Sequence, residues 1–264
     1  MLYIRRTNIT ASIFFQSTGV LPIPHLHKYL NVAWHTSVLF NYTKDIMKLT
    51  TFILGLYAFT NSTFGQDTTY NLVTQQLLKI DELDQRYRNQ IDFVETKYGR
   101  ESKELQVLFK DMRIADSTNL IQVESIIKKY GWLGYDKIGS QANTALFMVI
   151  QHSDQLTQEK YLPLMREAVK NGKAKAKSLA LLEDRIALHR GKMQSYGSQI
   201  FWSKVNNRYV VLPLNDPDNV DKRRAEVGLQ PLLEYVSVWN IQWNVEKYKK
   251  ELPLILAEWK KMLH

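Results

Sequence analysis

The stretch "QANTALFMVIQ", Gln141–Gln151, decides the fold class of this chain. At about 100° per residue, Ala142 and Val149 lie on one stripe of a helix, and Phe147 and Ile150 lie on another. A helix that is apolar on two faces is enclosed by other elements, since both faces need apolar partners. The sequence therefore predicts a mainly α protein, a multi-helix bundle-like domain in which this helix is buried.

Apolar residues at helical spacing predict further helices on both sides of this segment. Gly172 and Gly191 lie just beyond the ends of two of these helices and are predicted to supply their C-terminal caps. The predicted helices cover residues 70–98, 102–111, 117–129, 157–170 and 178–190.

The pattern changes after Gly191. In "GSQIFWSKVNNRYVVLPL", apolar and aromatic residues alternate on both sides of Asn206-Asn207, which predicts a β-hairpin near residues 197–213. Beyond the hairpin, Asp216 is predicted to cap a helix that starts at Pro217.

Glycine and proline also mark the C-terminal elements. The helix after Pro217 is predicted to stop at Gly228, and Pro231 opens the last helical region, with a break expected at Pro253. The aromatic residues of this region favour packing over a ligand box, because most fall at helical spacing. They are Trp239, Trp243, Tyr248 and Trp259.

The composition is that of an ordinary globular protein, with 45% hydrophobic and 23% charged residues. The formal net charge is +9, but Lys and Arg are interspersed with Asp and Glu along most of the chain. Nucleic-acid binding requires a clustered basic stripe with aromatic residues, and the nearest candidate is the short loop "KNGKAKAK", Lys170–Lys177. We therefore expect no nucleic-acid partner. The chain has no Cys, which excludes disulfides, thiolate nucleophiles and Cys-based zinc sites.

The segment "MKLTTFILGLYAFTNSTFGQ", Met47–Gln66, has the parts of a secretory signal peptide. Lys48 is followed by an apolar run and then by small and polar residues before Gly65. The run is shorter than the roughly 20 residues that span a bilayer. We expect cleavage after Gly65 and an exported protein, periplasmic or extracellular, without a stable membrane span.

On this interpretation, residues 1–46 are an upstream extension, 47–65 a signal peptide, 66–236 one helical domain and 237–264 a Trp-rich helical extension. The alternative is a genuine N-terminal extension with a membrane-associated segment at 49–59.

The polar residues after the central helix pose a separate question. His152 falls on the core-facing stripe of Ala142 and Val149, whereas Asp154 lies about 200° away. The two cannot pair on one helix face. Asp154 is expected to cap the next helix. His152 is expected to find its partner on another element, chiefly among Asp84, Asp184, Arg185 and Tyr196.

Arg185 lies between Leu181 and Leu188 on an otherwise apolar face. A buried Arg needs a partner, and adjacent Asp184 points elsewhere. We therefore expect the partner of Arg185 to come from another element.

Several short words in this order resemble a bacterial family of unknown function, over roughly residues 75–236. They are "DQRYR" (Asp84–Arg88), "DSTN" (Asp116–Asn119), "KYGW" (Lys129–Trp132), "QHSD" (Gln151–Asp154), "EDR" (Glu183–Arg185), "GKMQSYGSQ" (Gly191–Gln199) and "NVDKRRAEVGLQPLLEY" (Asn219–Tyr235). Ser198 departs from the family, in which Thr is more usual, but both side chains carry a hydroxyl.

The resemblance implies that a set of polar residues belongs to one pattern. They are Asp84, Gln85, Arg88, Asp116, Asn119, Gln151, His152, Asp154, Asp184, Arg185, Gln194, Tyr196 and Gln199. Polar groups inside a helical protein satisfy each other or bind something.

Two interpretations compete. In the favoured one, the polar residues form a buried network in a binding or structural module whose partner is a small molecule or a protein. In the other, the protein is a hydrolase-like enzyme in which His152 is the general base, oriented by Asp154 or Asp184, with Tyr196 as a further catalytic candidate. The remaining residues of the set are ligand-binding candidates in either case.

The sequence carries no "G-x-S-x-G" nucleophile motif and no "H-E-x-x-H" metal motif. It therefore predicts no metal and no cofactor, and the absent nucleophile favours a non-catalytic function.

Overall fold

The structure is a computed structural model that describes residues 69–263. The predicted upstream extension and signal peptide lie outside the described residues. Within them the prediction of a mainly α fold with one β-hairpin is confirmed. The helices are α1 (residues 69–88), α2 (Ile91–Tyr98), α3 (Lys103–Tyr130), α4 (Tyr135–His152), α5 (Gln155–Lys170), α6 (Ala176–His189), α7 (Val220–Glu226), α8 (Leu232–Val236) and α9 (Val245–Met262), with 3₁₀ turns at Pro217–Asn219 and Ser237–Trp239.

Helix α4 is enclosed, as its two apolar stripes predict. Every residue from Ala145 to Gln151 is buried. The helix begins earlier than predicted, at Tyr135, and Gly139 interrupts it with a positive φ of 74°. Glycine adopts positive φ readily, and this non-helical conformation separates a short first turn from the long buried segment.

The N-terminal helices differ from the prediction in two places. The expected single helix over 70–98 is broken by a turn at residues 89–90, and α2 packs Ile91 into a separate cluster with Leu105 and Met112. The two helices expected between 102 and 129 are one 28-residue helix. No Gly or Pro interrupts this helix, and the hydroxyls of Ser117 and Thr118 donate to carbonyls one turn earlier within it.

The hairpin consists of β1 (Ile200–Ser203) and β2 (Arg208–Val211), paired antiparallel with Phe201 opposite Val210. Asn207 lies in the turn with a φ of 48°, which Asn tolerates better than most residues. The predicted position of the hairpin is confirmed.

Two C-terminal predictions need correction. Asp216 precedes the 3₁₀ turn, but its side chain makes no capping hydrogen bond to the backbone and accepts instead from Asn219 and Arg223. Pro253 does not break α9, which continues through it. Pro253 is exposed, so water can satisfy the carbonyl that loses its helical N–H partner.

The buried apolar residues form three clusters. The helical cluster joins α1, α3, α4, α5 and α6, and the hairpin cluster joins β1, β2, α8 and α9. A small third cluster joins α2 to α3. Trp239, Tyr248 and Trp259 are buried in the hairpin cluster, as their helical spacing predicts.

None of the helices within residues 69–263 combines the length and the hydropathy that a membrane-spanning helix needs.

Candidate functional site

A cleft of about 520 Å³ is lined by residues of the hairpin cluster and of the small α2–α3 cluster. The ends of α4 and α6 contribute His152, Arg185 and His189, and the other walls come from α2, α3, the hairpin and α9. The volume is in the usual range for small-molecule sites, which are mostly apolar with a few placed polar groups. The cleft is therefore the candidate site.

One ring nitrogen of His152 is held by α1. The distance from Nδ1 to Oδ1 of Asp84 is 2.9 Å, and both side chains are almost fully buried. Asp84 also accepts a hydrogen bond from Gln85 at 2.6 Å. The partner of His152 thus comes from another element, as predicted, and that partner is Asp84 instead of Asp154 or Asp184.

The charges of this pair follow from burial and contacts. Burial lowers the pKa of His152 from 6.5 to about 4, although Asp84 opposes this change. Burial alone would raise the pKa of Asp84, but His152 and Arg88 outweigh it and lower the pKa to about 2. At neutral pH the ring is therefore neutral and the carboxylate ionised. Because the carboxylate can only accept, Nδ1 carries the proton and Nε2 keeps a free lone pair.

Nε2 of His152 is buried and has no hydrogen-bond partner among the described residues. Its lone pair can accept a hydrogen bond from a ligand, or a proton from a reacting water.

Arg88 extends the network from Asp84 to α3. Its Nη1 lies 3.2 Å from Oδ1 of Asp84 and its Nη2 lies 2.8 Å from Oδ2 of Asp116. The guanidinium therefore has two carboxylate neighbours. Burial raises the pKa of Asp116 against the opposing effect of Arg88, and Oδ1 of Asp116 has no partner within the described chain.

Arg185 contradicts the expectation that it is paired. Its side chain is buried, yet within residues 69–263 it makes no ion pair, and its Nε and Nη2 have no hydrogen-bond acceptor. Burial lowers the pKa of Arg185 from 12.5 to about 10, so it remains a cation at neutral pH. A buried cation without an acceptor is costly to maintain.

His189 was not among the predicted site residues. It lies four residues after Arg185 on α6 and also lines the cleft, and Nδ1 has no partner among the described side chains. Burial and the charge of Arg185 lower its pKa. Residues four apart share a helix face, so the i, i+4 relation to Arg185 was a usable signal.

Aromatic side chains form the apolar walls. Phe109, Phe201, Trp239 and Trp259 line the cleft. Trp239 and Trp259 thus serve the predicted packing and also shape the site. The sequence shows the spacing of these aromatic residues but not the wall that they form, because the wall is assembled from α3, the hairpin and the C-terminal elements.

Arg100, which also lines the cleft, lies over two aromatic rings. Cζ of Arg100 lies 3.3 Å from the ring centroid of Trp202 and 5.2 Å from that of Tyr209. Arg100 is also paired with Glu95, so its charge is compensated.

A second polar cluster is formed around Asp184 of α6 and contains two further catalytic candidates, Asp184 and Tyr196. Asp184 accepts hydrogen bonds from the backbone N–H groups of Ser195, Tyr196 and Ser198 at 2.7, 3.0 and 3.0 Å. Burial raises the pKa of Asp184 while these bonds oppose it. Neither Asp184 nor Tyr196 lines the cleft. Their observed role is to hold the loop before the hairpin.

Gln194 and Gln199 belong to this second cluster. Gln194 donates to the carbonyls of Gln199 and Leu212, and its own oxygen accepts from the Gln199 backbone. Arg224, which was not predicted, is fully buried and donates to the carbonyls of Tyr196 and Gln230 at 2.5 and 2.7 Å. These bonds link the loop to α7.

Three predicted residues lie outside both clusters. Asp154 is the N-cap of α5 and accepts from the Thr157 N–H at 2.8 Å, as expected. Gln151 is fully buried and donates to the Leu181 carbonyl at 3.3 Å. Asn119 is buried in α3, and neither of its amide atoms has a partner among the described residues; nothing in the structure explains this.

No group of three His, Asp or Glu side chains that could hold a metal ion is found in the described part of the chain.

The fold and the site thus define a mainly helical protein with a cleft that has aromatic walls and a polar floor. The floor consists of Arg88, Asp116, His152 and Arg185. Comparison with protein families shows that the chain belongs to DUF6624, a family of unknown function, which matches residues 71–246. No curated protein and no solved structure gives a significant match.

Proposed function

We propose that the protein is a small-molecule-binding module and that the cleft is its binding site. The observation that carries this proposal is the buried guanidinium of Arg185, which lines the cleft and whose Nε and Nη2 have no acceptor among residues 69–263. A network that serves the fold alone satisfies its own polar groups, as the cluster around Asp184 largely does. In the lining of the cleft, by contrast, Arg185, His152 Nε2 and Asp116 Oδ1 have no partner within the described part of the chain.

We also propose that this module is exported. The signal-peptide pattern of Met47–Gln66 supports export. Mass spectrometry of the protein recovered from the native cell envelope and medium tests it. The expected N-terminus is Gln66, whereas an intact Met47 in the cytoplasmic fraction would contradict export.

A thermal-shift screen of the full chain against metabolites tests the binding function. Arg185→Met removes the unpaired charge, and Arg86→Met makes the same change at an exposed arginine paired with Glu82 on α1. We expect compounds that stabilise the wild type and the Arg86 variant but not the Arg185 variant. A screen without any stabilising compound, or with stabilisation that ignores Arg185, would contradict the proposal.

A hydrolase-like enzyme is the second candidate, favoured by the Asp84–His152 pair. A carboxylate that orients Nδ1 leaves Nε2 free to take a proton from water as the water oxygen attacks a carbonyl carbon. Arg185 would then stabilise the developing oxyanion. A pKa of about 4 for His152 makes it a weak base at neutral pH, which is why binding is preferred.

Ester and amide analogues of any bound compound distinguish the two functions. A hydrolase requires turnover that His152→Asn abolishes while binding is retained. Absence of turnover for compounds that saturate the cleft would leave binding alone.

A further inference from the structure

We propose that the ligand of the cleft is an amphipathic monocarboxylate, with its carboxylate against Arg185 and its hydrocarbon body along the aromatic walls. This inference rests on the proposed binding function and specifies its ligand class.

The floor of the cleft has one cation without a neighbouring acid. The charge of Arg88 is shared by Asp84 and Asp116, and that of Arg100 by Glu95. Arg185 is therefore the lining cation that no carboxylate among the described residues contacts. The carboxylate of a ligand would pair with it directly.

A second negative charge would meet an unfavourable surface. Asp116 lines the same cleft with a carboxylate oxygen that has no partner in the described chain, and like charges repel. His152 and His189 add no positive charge at neutral pH, since burial lowers both pKa values. The floor therefore favours a monoanion over a phosphate dianion or a dicarboxylate.

The unpartnered atoms of Arg185 also fit a carboxylate in shape. Nε and Nη2 form one edge of the guanidinium, and this edge presents two parallel N–H groups that match the two carboxylate oxygens. On the surface of this protein, Nε and Nη2 of Arg166 both donate to one carboxylate oxygen of Glu183, Oε1, at 2.9 and 2.8 Å, so the same edge already holds a carboxylate elsewhere in the chain. On Arg185 the edge is buried and has no acceptor among residues 69–263.

The remaining surface of the cleft suits an apolar body. Phe109, Phe201, Trp239 and Trp259 supply large apolar faces on several sides, and aromatic rings dominate the energetics of such contacts. At roughly 30 Å³ for each water-sized group, 520 Å³ holds about 17 such groups. A monocarboxylate of about 10 to 16 carbons would fill it.

Isothermal titration calorimetry on the full chain tests the ligand class, with octanoate, decanoate and dodecanoate as probes, below their micellar concentrations. We expect Kd to fall by roughly threefold to fourfold for each added methylene until the cleft is filled. Decan-1-ol and decyl phosphate, with the same chain but no charge or two charges, are expected to bind at least about tenfold more weakly than decanoate. The comparison of acid with alcohol needs only the wild-type protein, so it does not depend on any variant folding.

Variants then locate the head group. Arg185→Met should remove the preference for acid over alcohol, and Arg86→Met should retain it. Equal affinity of wild type for the acid and the alcohol, or a preference for the acid that survives Arg185→Met, would overturn the inference.

Failure of the ligand class and failure of the binding function give different results. Saturable binding of a neutral or polyanionic compound that Trp259→Ala weakens would reject the monocarboxylate and retain the binding function. Absence of saturable binding by every compound of the metabolite screen would reject both.

Discussion

Replacing Arg185 with methionine should stabilise the protein in the absence of ligand. Burial lowers the pKa of Arg185 from 12.5 to about 10, and at ~1.4 kcal/mol per pKa unit this corresponds to about 3 kcal/mol spent on keeping the guanidinium charged. Methionine retains an unbranched apolar stem and has no charge. We expect the free energy of unfolding to rise by about 1–3 kcal/mol, because the change also loses some packing of the longer side chain.

Urea denaturation followed by circular dichroism measures this change, and the melting temperature should rise by about 2–10 °C for a chain of this size. Arg224→Met is the matched control, because Arg224 is also buried but donates to two backbone carbonyls. It should destabilise the protein by about 3–5 kcal/mol, since two buried acceptors lose a charged donor. A loss of more than about 1 kcal/mol in Arg185→Met would refute the reasoning, because it would mean that the guanidinium already has a stabilising partner.

Three further changes test other parts of the structure. The pKa of His152 is about 4 in the folded chain, against 6.5 for an unperturbed histidine, so between these pH values the folded chain binds fewer protons than the unfolded chain. The free energy of unfolding should therefore fall by up to about 3 kcal/mol as pH drops from 6.5 to 4. Urea titrations should show a smaller fall in His152→Asn. Asp184→Asn should cost about 2–4 kcal/mol and speed amide hydrogen exchange at Ser195 and Ser198, whereas unchanged exchange would contradict its role in the loop. Glu258 accepts from the Ser203 hydroxyl at 2.5 Å, so Glu258→Ala should speed exchange in the hairpin turn while exchange in α4 stays the same.

The features of the fold that could be predicted from sequence are those written in local patterns. The two stripes of α4 and the alternation around Asn206-Asn207 each follow from a short window, and both are confirmed. The turn at residues 89–90 has no Gly or Pro to mark it. Beyond the turn, Ile91 packs against α3, and this tertiary contact is not visible in a short window of sequence. The continuity of α9 through Pro253 depends on that residue facing solvent, which a window of sequence does not reveal.

The candidate site was only partly predictable, because its pairings join distant segments. Helical geometry places His152 and Asp154 on different faces, and it therefore predicts partners from other elements. The actual partner, Asp84, lies 68 positions earlier. For Arg185 the same reasoning predicted a charged partner from another element, and the structure shows no such partner among the described residues. Sequence patterns show that a polar residue is buried, but they do not show whether a protein group or a ligand satisfies it.

Arg185 and Arg224 make this difference concrete. Both are buried arginines on helices, and both lie near the aromatic hairpin cluster. The bonds of Arg224 go to carbonyls of its own chain, so its charge contributes to the position of the loop before the hairpin. The edge of Arg185 that has no partner among the described residues lies in a cleft with apolar walls. The charge of Arg185 therefore does not stabilise the fold, and methionine at this position is expected to raise the free energy of unfolding. A residue that weakens the fold in which it lies needs another reason to be present, and a bound anion supplies one.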